Sequence, residues 1–202
     1  MDPAAGTVLR QGQPATRGSP RFLDLTPENE AAIEEIVAFL PACFAPWRYL
    51  QSPREAPAEV LESLAAPRIS RIAVGEDGTV LGWCGGIPEY NGRVWELHPM
   101  AVRPDQQRKR VGRMLLADFE ACVRQRGGLT VVLGTDDVAG ASTAHGVDLY
   151  PDVWRHIRDL TPYADHPFVF YRKCGYMVHG LIPDANGRGK PAILMAKRVA
   201  GA

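Results

Sequence analysis

Nine residues, Val94-Trp95-Glu96-Leu97-His98-Pro99-Met100-Ala101-Val102, read as a strand from their β-branched and aromatic content, yet a proline stands in their midst. Proline has no N–H to give to a sheet ladder, so a central strand that carries one must be bulged or splayed at that point. The run leads through a turn into Gln107-Arg108-Lys109-Arg110-Val111-Gly112, which opens an amphipathic helix expected over residues 107–126 and stopped by Gly127-Gly128. On it Val111, Leu115, Phe119 and Cys122 recur at helical spacing. A helix start leaves unpaired N–H groups and the positive end of a dipole, both of which favour an anion. Arg108, Lys109, Arg110 and Arg113 add side-chain charge there, and Gly112 would let the backbone approach a phosphate with no Cβ in the way. A pyrophosphate held beside a reacting group is the chemistry such a junction suits.

The rest of the chain supplies the frame. Residues 1–20 hold few large apolar groups and are expected to be a disordered extension, followed by one domain over 21–199. Thr26 reads as an N-cap with Pro27 at the first helical position, and Ile33, Ile36, Val37 and Leu40 mark a helix face that Pro41 should end. The segment from Cys43 to Pro57, with Trp47 and Tyr49, either lines a substrate site or simply packs; Glu59 to Leu64 reads as a short helix. Ile72 to Val74, a turn at 76–78 and Val80 to Cys84 read as a hairpin. Leu129 to Leu133 reads as a strand buried on both faces, followed by helices near Val153 to Arg158 and from Pro167 to Gly175, then strands Tyr176 to Ile182 and Ala192 to Lys197. Strands first, then strand–helix alternation, give an α+β class with a mixed, mostly antiparallel sheet flanked by helices and a splayed central strand.

The formal charge is zero, which argues against a nucleic-acid partner. That zero hides a division. Residues 103–113 carry Arg103, Arg108, Lys109, Arg110 and Arg113 against Asp105, whereas 129–170 carry Asp136, Asp137, Asp148, Asp152, Asp159 and Asp165 against Arg155 and Arg158. One region suits an anion and the other a cation, although solvated surface explains any single charge as well. Cys43, Cys84, Cys122 and Cys174 form no CxxC pair and read as reduced thiols; the five histidines show no metal-ligand spacing, so no metal is expected. No apolar leader opens the chain, and the expected location is cytoplasmic, without a membrane partner.

At Gln107 to Gly112 the pattern resembles the acetyl-CoA signature Gln/Arg-x-x-Gly-x-Gly/Ala of the GNAT acyltransferase superfamily, with Arg110 at the first glycine position. Trp95 to Pro99, Arg126 to Asp137, Asp148-Leu149-Tyr150, His166 to Tyr171, Lys173, Gly175-Tyr176, Pro183 to Gly187, Lys190-Pro191 and Met195-Ala196-Lys197 are similar, in order, to the aminoglycoside 6'-N-acetyltransferases of that superfamily, particularly the chromosomal type of enterococci. The resemblance implies a GNAT-like fold, acetyl-CoA as co-substrate bound along Met100, Val102, Gln107 to Gly112 and Arg113, and a homodimer. It also implies 6'-N-acetylation of polycationic aminoglycosides, hence antibiotic resistance, by direct transfer in a ternary complex. Another small polyamine or a peptide amine as acceptor, or a silent acetyl-CoA-binding module, remain the alternatives.

Acetyl transfer from a thioester to an amine needs a group to take the amine proton, donors for the developing oxyanion and an acid for the leaving thiolate. Glu96 and His98 lie two apart on a strand, hence on one side of it, and can hold and help deprotonate a cationic amine. A bulge at Pro99 would aim the Met100 N–H at the thioester carbonyl. By resemblance Tyr171 lies near the coenzyme sulfur and could protonate the thiolate. Asp136 and Asp137, just after a strand, could bind the polycation or cap a turn; Asp152 is of the same kind, and Trp47 would line the site.

Overall fold

A seven-stranded sheet in the order β1-β2-β3-β4-β5-β7-β6 organises the computed structural model, which describes residues 19–163 and 166–201. The extension expected over 1–20 thus falls, but for its last two residues, outside the described residues. The strands are β1 Arg21–Asp24, β2 Ile69–Val74, β3 Val80–Glu89, β4 Val94–Val102, β5 Thr130–Asp136, β6 Met177–Ile182 and β7 Ala192–Arg198; the helices are α1 Glu30–Phe44, α2 Glu55–Ser63, α3 Val111–Gln125, α4 Val153–Arg158 and α5 Pro167–Lys173. All neighbours are antiparallel except β4 with β5. The α+β sheet read from the sequence is therefore present, with β1 added at its edge. Among the described residues no helix is long and apolar enough to cross a membrane.

Two apolar clusters sandwich the sheet. Ile36, Phe39 and Leu40 of α1 and Val60 of α2 pack with Ile72, Val74, Trp83 and Ala101 on one face. Leu115, Leu116, Phe119 and Val123 of α3 pack with Ala73, Cys84, Trp95, Leu97 and Val131 on the other. A bidentate pair from Arg71 to Asp118, at 2.7 and 3.0 Å, ties α3 to β2. The left-handed Gly127 (φ 79°) ends α3, as its sequence position requires.

The helix ends moved for physical reasons. α1 is capped at Asn29, not Thr26; instead the Thr26 N–H and hydroxyl donate to Asn29 Oδ1 at 2.9 and 3.1 Å. α1 also runs through Pro41 to Phe44. A proline removes one helical bond, and the burial of Phe39 and Leu40 just before it outweighs the loss. α3 begins at Val111 and not Gln107, because Arg108 (φ 60°) and Arg110 (φ 69°) are left-handed. β5 alternates in burial instead of being covered on both faces, and Leu129 is 49% exposed.

The proline in β4 does what its missing N–H demands. Pairing with β3 jumps from Gly86↔Leu97 to Cys84↔Met100, leaving His98 and Pro99 opposite Gly85 alone. A Cβ on Gly85 would run into the His98 carbonyl, so the bulge needs glycine there. The extra residue inverts the phase of the strand. Before it, Trp95 and Leu97 face α3; after it, Met100 and Val102 pack toward α3 while Ala101 joins the α1 and α2 cluster.

Candidate active site

β4 and β5 are paired only from Val94↔Thr130 to Glu96↔Val132. Past that vertex they part, and the gap is a cleft of about 430 Å³. Leu97 to Val102 form one wall, Gly134, Thr135 and Asp136 the other; Pro167 and Tyr171 of α5, Asn186 of the β6–β7 loop and the segment Cys43 to Tyr49 after α1 complete it. The splayed central strand expected from the sequence is present, and the cleft lies at the splay.

On one side of the cleft stands a polar cluster. The Tyr49 hydroxyl donates to Glu59 Oε2 at 2.7 Å and lies 3.2 Å from His98 Nε2, and Glu59 Oε1 is 3.7 Å from the same nitrogen. Burial first, and then the hydrogen bond to Glu59, push the Tyr49 phenol above its usual range, so it keeps its proton. Tyr49 is set there by a strained loop: Arg48 (φ 55°) and Leu50 (φ 56°) on either side are left-handed without being glycine. Glu96 shares the face of His98 but sits at the vertex, where β4 is still bonded to β5, and is not part of the lining.

The opposite wall ends in two aspartates with different fates. Asp136 lines the cleft, and its carbonyl accepts the Trp47 indole N–H at 3.0 Å, so Trp47 straps the α1 segment to β5. Asp137 is fully buried: its carboxylate accepts from the Ala141 N–H at 2.8 Å and the Ser142 hydroxyl at 2.6 Å. That corrects its placement among substrate contacts, since both oxygens are spent folding the loop that follows. Asp152 is likewise drawn off, accepting from the Arg155 N–H at 3.0 Å as the N-cap of α4, outside the cleft lining.

Tyr171 closes the cleft with its ring against Phe170 and Tyr176, centroids 5.1 and 5.7 Å away. Burial raises its phenol well above the usual range, leaving it a neutral donor at physiological pH. Burial also pushes the Cys43 thiol up to about 11, so the cysteine beside the cleft is no ready nucleophile. Its Sγ donates to the Val102 carbonyl, which Gln107 Nε2 also reaches at 3.1 Å.

The segment 107–113 was read as one basic cradle, and its side chains diverge. α3 starts at Val111 with no side-chain cap, which leaves first-turn N–H groups for an anion. Arg110 adopts the left-handed conformation for which the superfamily's glycine is suited. The Cβ direction of Gly112 points at Val102, Met100 and Phe170, 3.3–3.6 Å away, so the missing side chain serves the seating of α3 on β4 rather than room for a phosphate. Lys109 Nζ rests on Gln106 Oε1 at 3.3 Å. Arg113, two residues past the buried Val111 and so across the helix, donates its side chain to the Lys173 carbonyl at 3.4 Å beside a separate hollow, while its backbone stays in the first turn of α3.

The sequence names Tyr49 only as part of a segment that lines a site or simply packs, and it does not point to Glu59 as a site residue. Nothing local marks them: Glu59 lies 10 positions after Tyr49 and His98 39 positions after Glu59, and only α2 folding over β4 brings them together. Among the described residues no group of three His, Cys, Asp or Glu is arranged to hold a metal.

The model of the Acetyltransferase (GNAT) family matches residues 33–144. A solved aminoglycoside 6'-N-acetyltransferase complexed with coenzyme A is similar over 90% of this chain and 98% of its own, with 30% identity and a TM-score of 0.84. The aminoglycoside 6'-N-acetyltransferase from Enterococcus faecium is similar over the same shares at 31% identity and a TM-score of 0.82. The ribosomal-protein-S18-alanine N-acetyltransferase from Escherichia coli, at 16% identity over 91% of this chain and 96% of its own and a TM-score of 0.61, shares the fold. No curated protein sequence matches the chain.

Proposed function

Since the chain belongs to the GNAT acetyltransferase family, whose members use acetyl-CoA, we propose that it N-acetylates the 6'-amine of aminoglycosides by direct transfer in a ternary complex. The observation that carries the reading is one cleft with a neutral phenol, Tyr171, on its floor and His98 and Asp136 on facing walls. The aminoglycoside as acceptor is carried over from the two similar enzymes. Cytoplasmic action as a homodimer goes with the same reading.

Acetyl-CoA supplies an acyl group already activated for attack. The uncapped start of α3, with Gln107 to Gly112, suits its pyrophosphate, and the edge of β4 at Met100 and Val102 suits its pantetheine arm. Asp136 holds a cationic group of the acceptor by charge-assisted hydrogen bonds. His98, with Glu96 behind it at the vertex, takes a proton from the acceptor ammonium and frees its lone pair. The Met100 N–H, just past the bulge, is offered to the oxygen on which charge develops. The Tyr171 hydroxyl gives its proton or a hydrogen bond to the departing sulfur. None of the four thiols is needed: burial raises the pKa of each, which supports transfer without an acyl-cysteine. The test is acetyl-CoA turnover against aminoglycosides with and without a 6'-amine, beside simple polyamines and an N-terminal peptide. Turnover confined to 6'-amines is expected; equal turnover of the peptide or of 6'-hydroxyl compounds would overturn the substrate assignment.

A further inference from the structure

We propose that Glu59, acting through Tyr49, fixes the tautomer of His98, so that Nε2 carries the ring proton and Nδ1 is the basic nitrogen. Two acceptors compete for the one Tyr49 proton: Glu59 Oε2 at 2.7 Å and His98 Nε2 at 3.2 Å. A bond to a carboxylate is shorter and roughly twice as strong as one to a neutral acceptor, so the hydroxyl donates to Glu59. The phenol oxygen then has only lone pairs to offer His98, and a lone pair can face Nε2 only if Nε2 bears hydrogen. Glu59 Oε1, 3.7 Å from Nε2, adds negative charge on that side of the ring and favours the same proton.

A neutral imidazole with hydrogen on Nε2 has its lone pair on Nδ1, on a ring that lines the cleft. This rests on the proposed work of His98 on the amine. When the acceptor ammonium gives up a proton, directly or through water, an N–H bond breaks with its electron pair left on the amine, and Nδ1–H forms. The resulting imidazolium still donates from Nε2 to Tyr49, and the Glu59 carboxylate offsets its charge. Glu59 and Tyr49 are positioning residues here, in the manner of a carboxylate that orients a catalytic histidine. The strain around Tyr49 fits that task, because a phenol displaced by an ångström would leave His98 without its partner.

The experiment is nitrogen NMR of the full chain labelled in its histidines, with His98 assigned by loss of its signals in His98→Gln. In the wild type the neutral ring should show hydrogen on Nε2. In Glu59→Leu, which fills the space and offers no acceptor, the Tyr49 hydroxyl turns to Nε2 and the proton should move to Nδ1. Should that variant not fold, Tyr49→Phe serves: the Nε2 proton, sheltered by the phenol in the wild type, should exchange with water markedly faster. A wild-type ring protonated on Nδ1, an unchanged tautomer in Glu59→Leu, or unchanged exchange in Tyr49→Phe overturns the inference. Glu59→Leu should also lower kcat on the order of tenfold or more with acetyl-CoA affinity kept. If His98→Ala transfers at the wild-type rate, the proposed role of His98 fails, and the nitrogen signals still decide the tautomer.

Discussion

The two halves of β4 are made of the same kind of sequence and face opposite ways. Glu96 and His98 look toward α1 and α2, where Tyr49 and Glu59 wait; Met100 and Val102, past the bulge, pack toward α3 and its uncapped start. A regular strand would have put residues 96, 98, 100 and 102 on one face. One unpaired residue at His98-Pro99 divides them, and under the proposed function the strand would thereby serve an amine from one side and an acyl donor from the other. The amine half is assembled from distant segments, the donor half from neighbours in sequence. Substitutions should respect that division.

The largest expected effect is on the chemical step. Tyr171→Phe keeps the ring against Phe170 and Tyr176 but removes the donor, so the single-turnover rate of transfer should fall by up to about 10²–10⁴ while both substrates bind near wild type. A wild-type rate in that measurement would make Tyr171 a packing aromatic. Next come the two aspartates. Asp137→Ala orphans the Ala141 N–H and the Ser142 hydroxyl, at about 1–3 kcal/mol each, and should lower the melting temperature. Asp136→Asn should leave stability alone and raise KM for the amine more than it lowers kcat, because a binding charge acts on ground and transition states alike. Matching thermal and kinetic profiles for the two variants would erase the distinction between them.

Glu96→Gln removes charge at the vertex and should lower kcat/KM for the amine on the order of tenfold, each tenfold being about 1.4 kcal/mol, with acetyl-CoA affinity unchanged. Weaker acetyl-CoA binding in calorimetry would instead put Glu96 on the donor half. The smallest effect belongs to the donor half. Arg110→Gly puts the residue made for left-handed backbone where φ is 69°, so it should preserve affinity and hold or raise stability by up to about 1 kcal/mol. A clear loss of acetyl-CoA affinity would show that the Arg110 side chain, and not the backbone around it, carries the anion.

What was legible in the sequence is what chain neighbours decide. The strand Val94–Val102, the disruption at Pro99 and the stop at Gly127 follow from a missing N–H and a left-handed turn, which are properties of single residues. The uncapped helix start proposed to hold the donor was legible to within a few residues for the same reason, since it is a stretch of backbone. Its side-chain directions were not: where Arg113 points, and what a Cβ at Gly112 would meet, follow helical phase, and that phase was fixed only when Arg108 and Arg110 went left-handed and delayed the helix to Val111. The amine half lay further out of reach. Asp136 and Asp137 are adjacent identical residues, and only the fold of the loop back onto β5 buries one and leaves the other at the cleft. Glu59 meets His98 because α1 and α2 close over the sheet around Trp83 and Ala101. Local sequence determined where the backbone must break its regularity; burial and distance, which belong to the whole molecule, decided which side chains those breaks bring together.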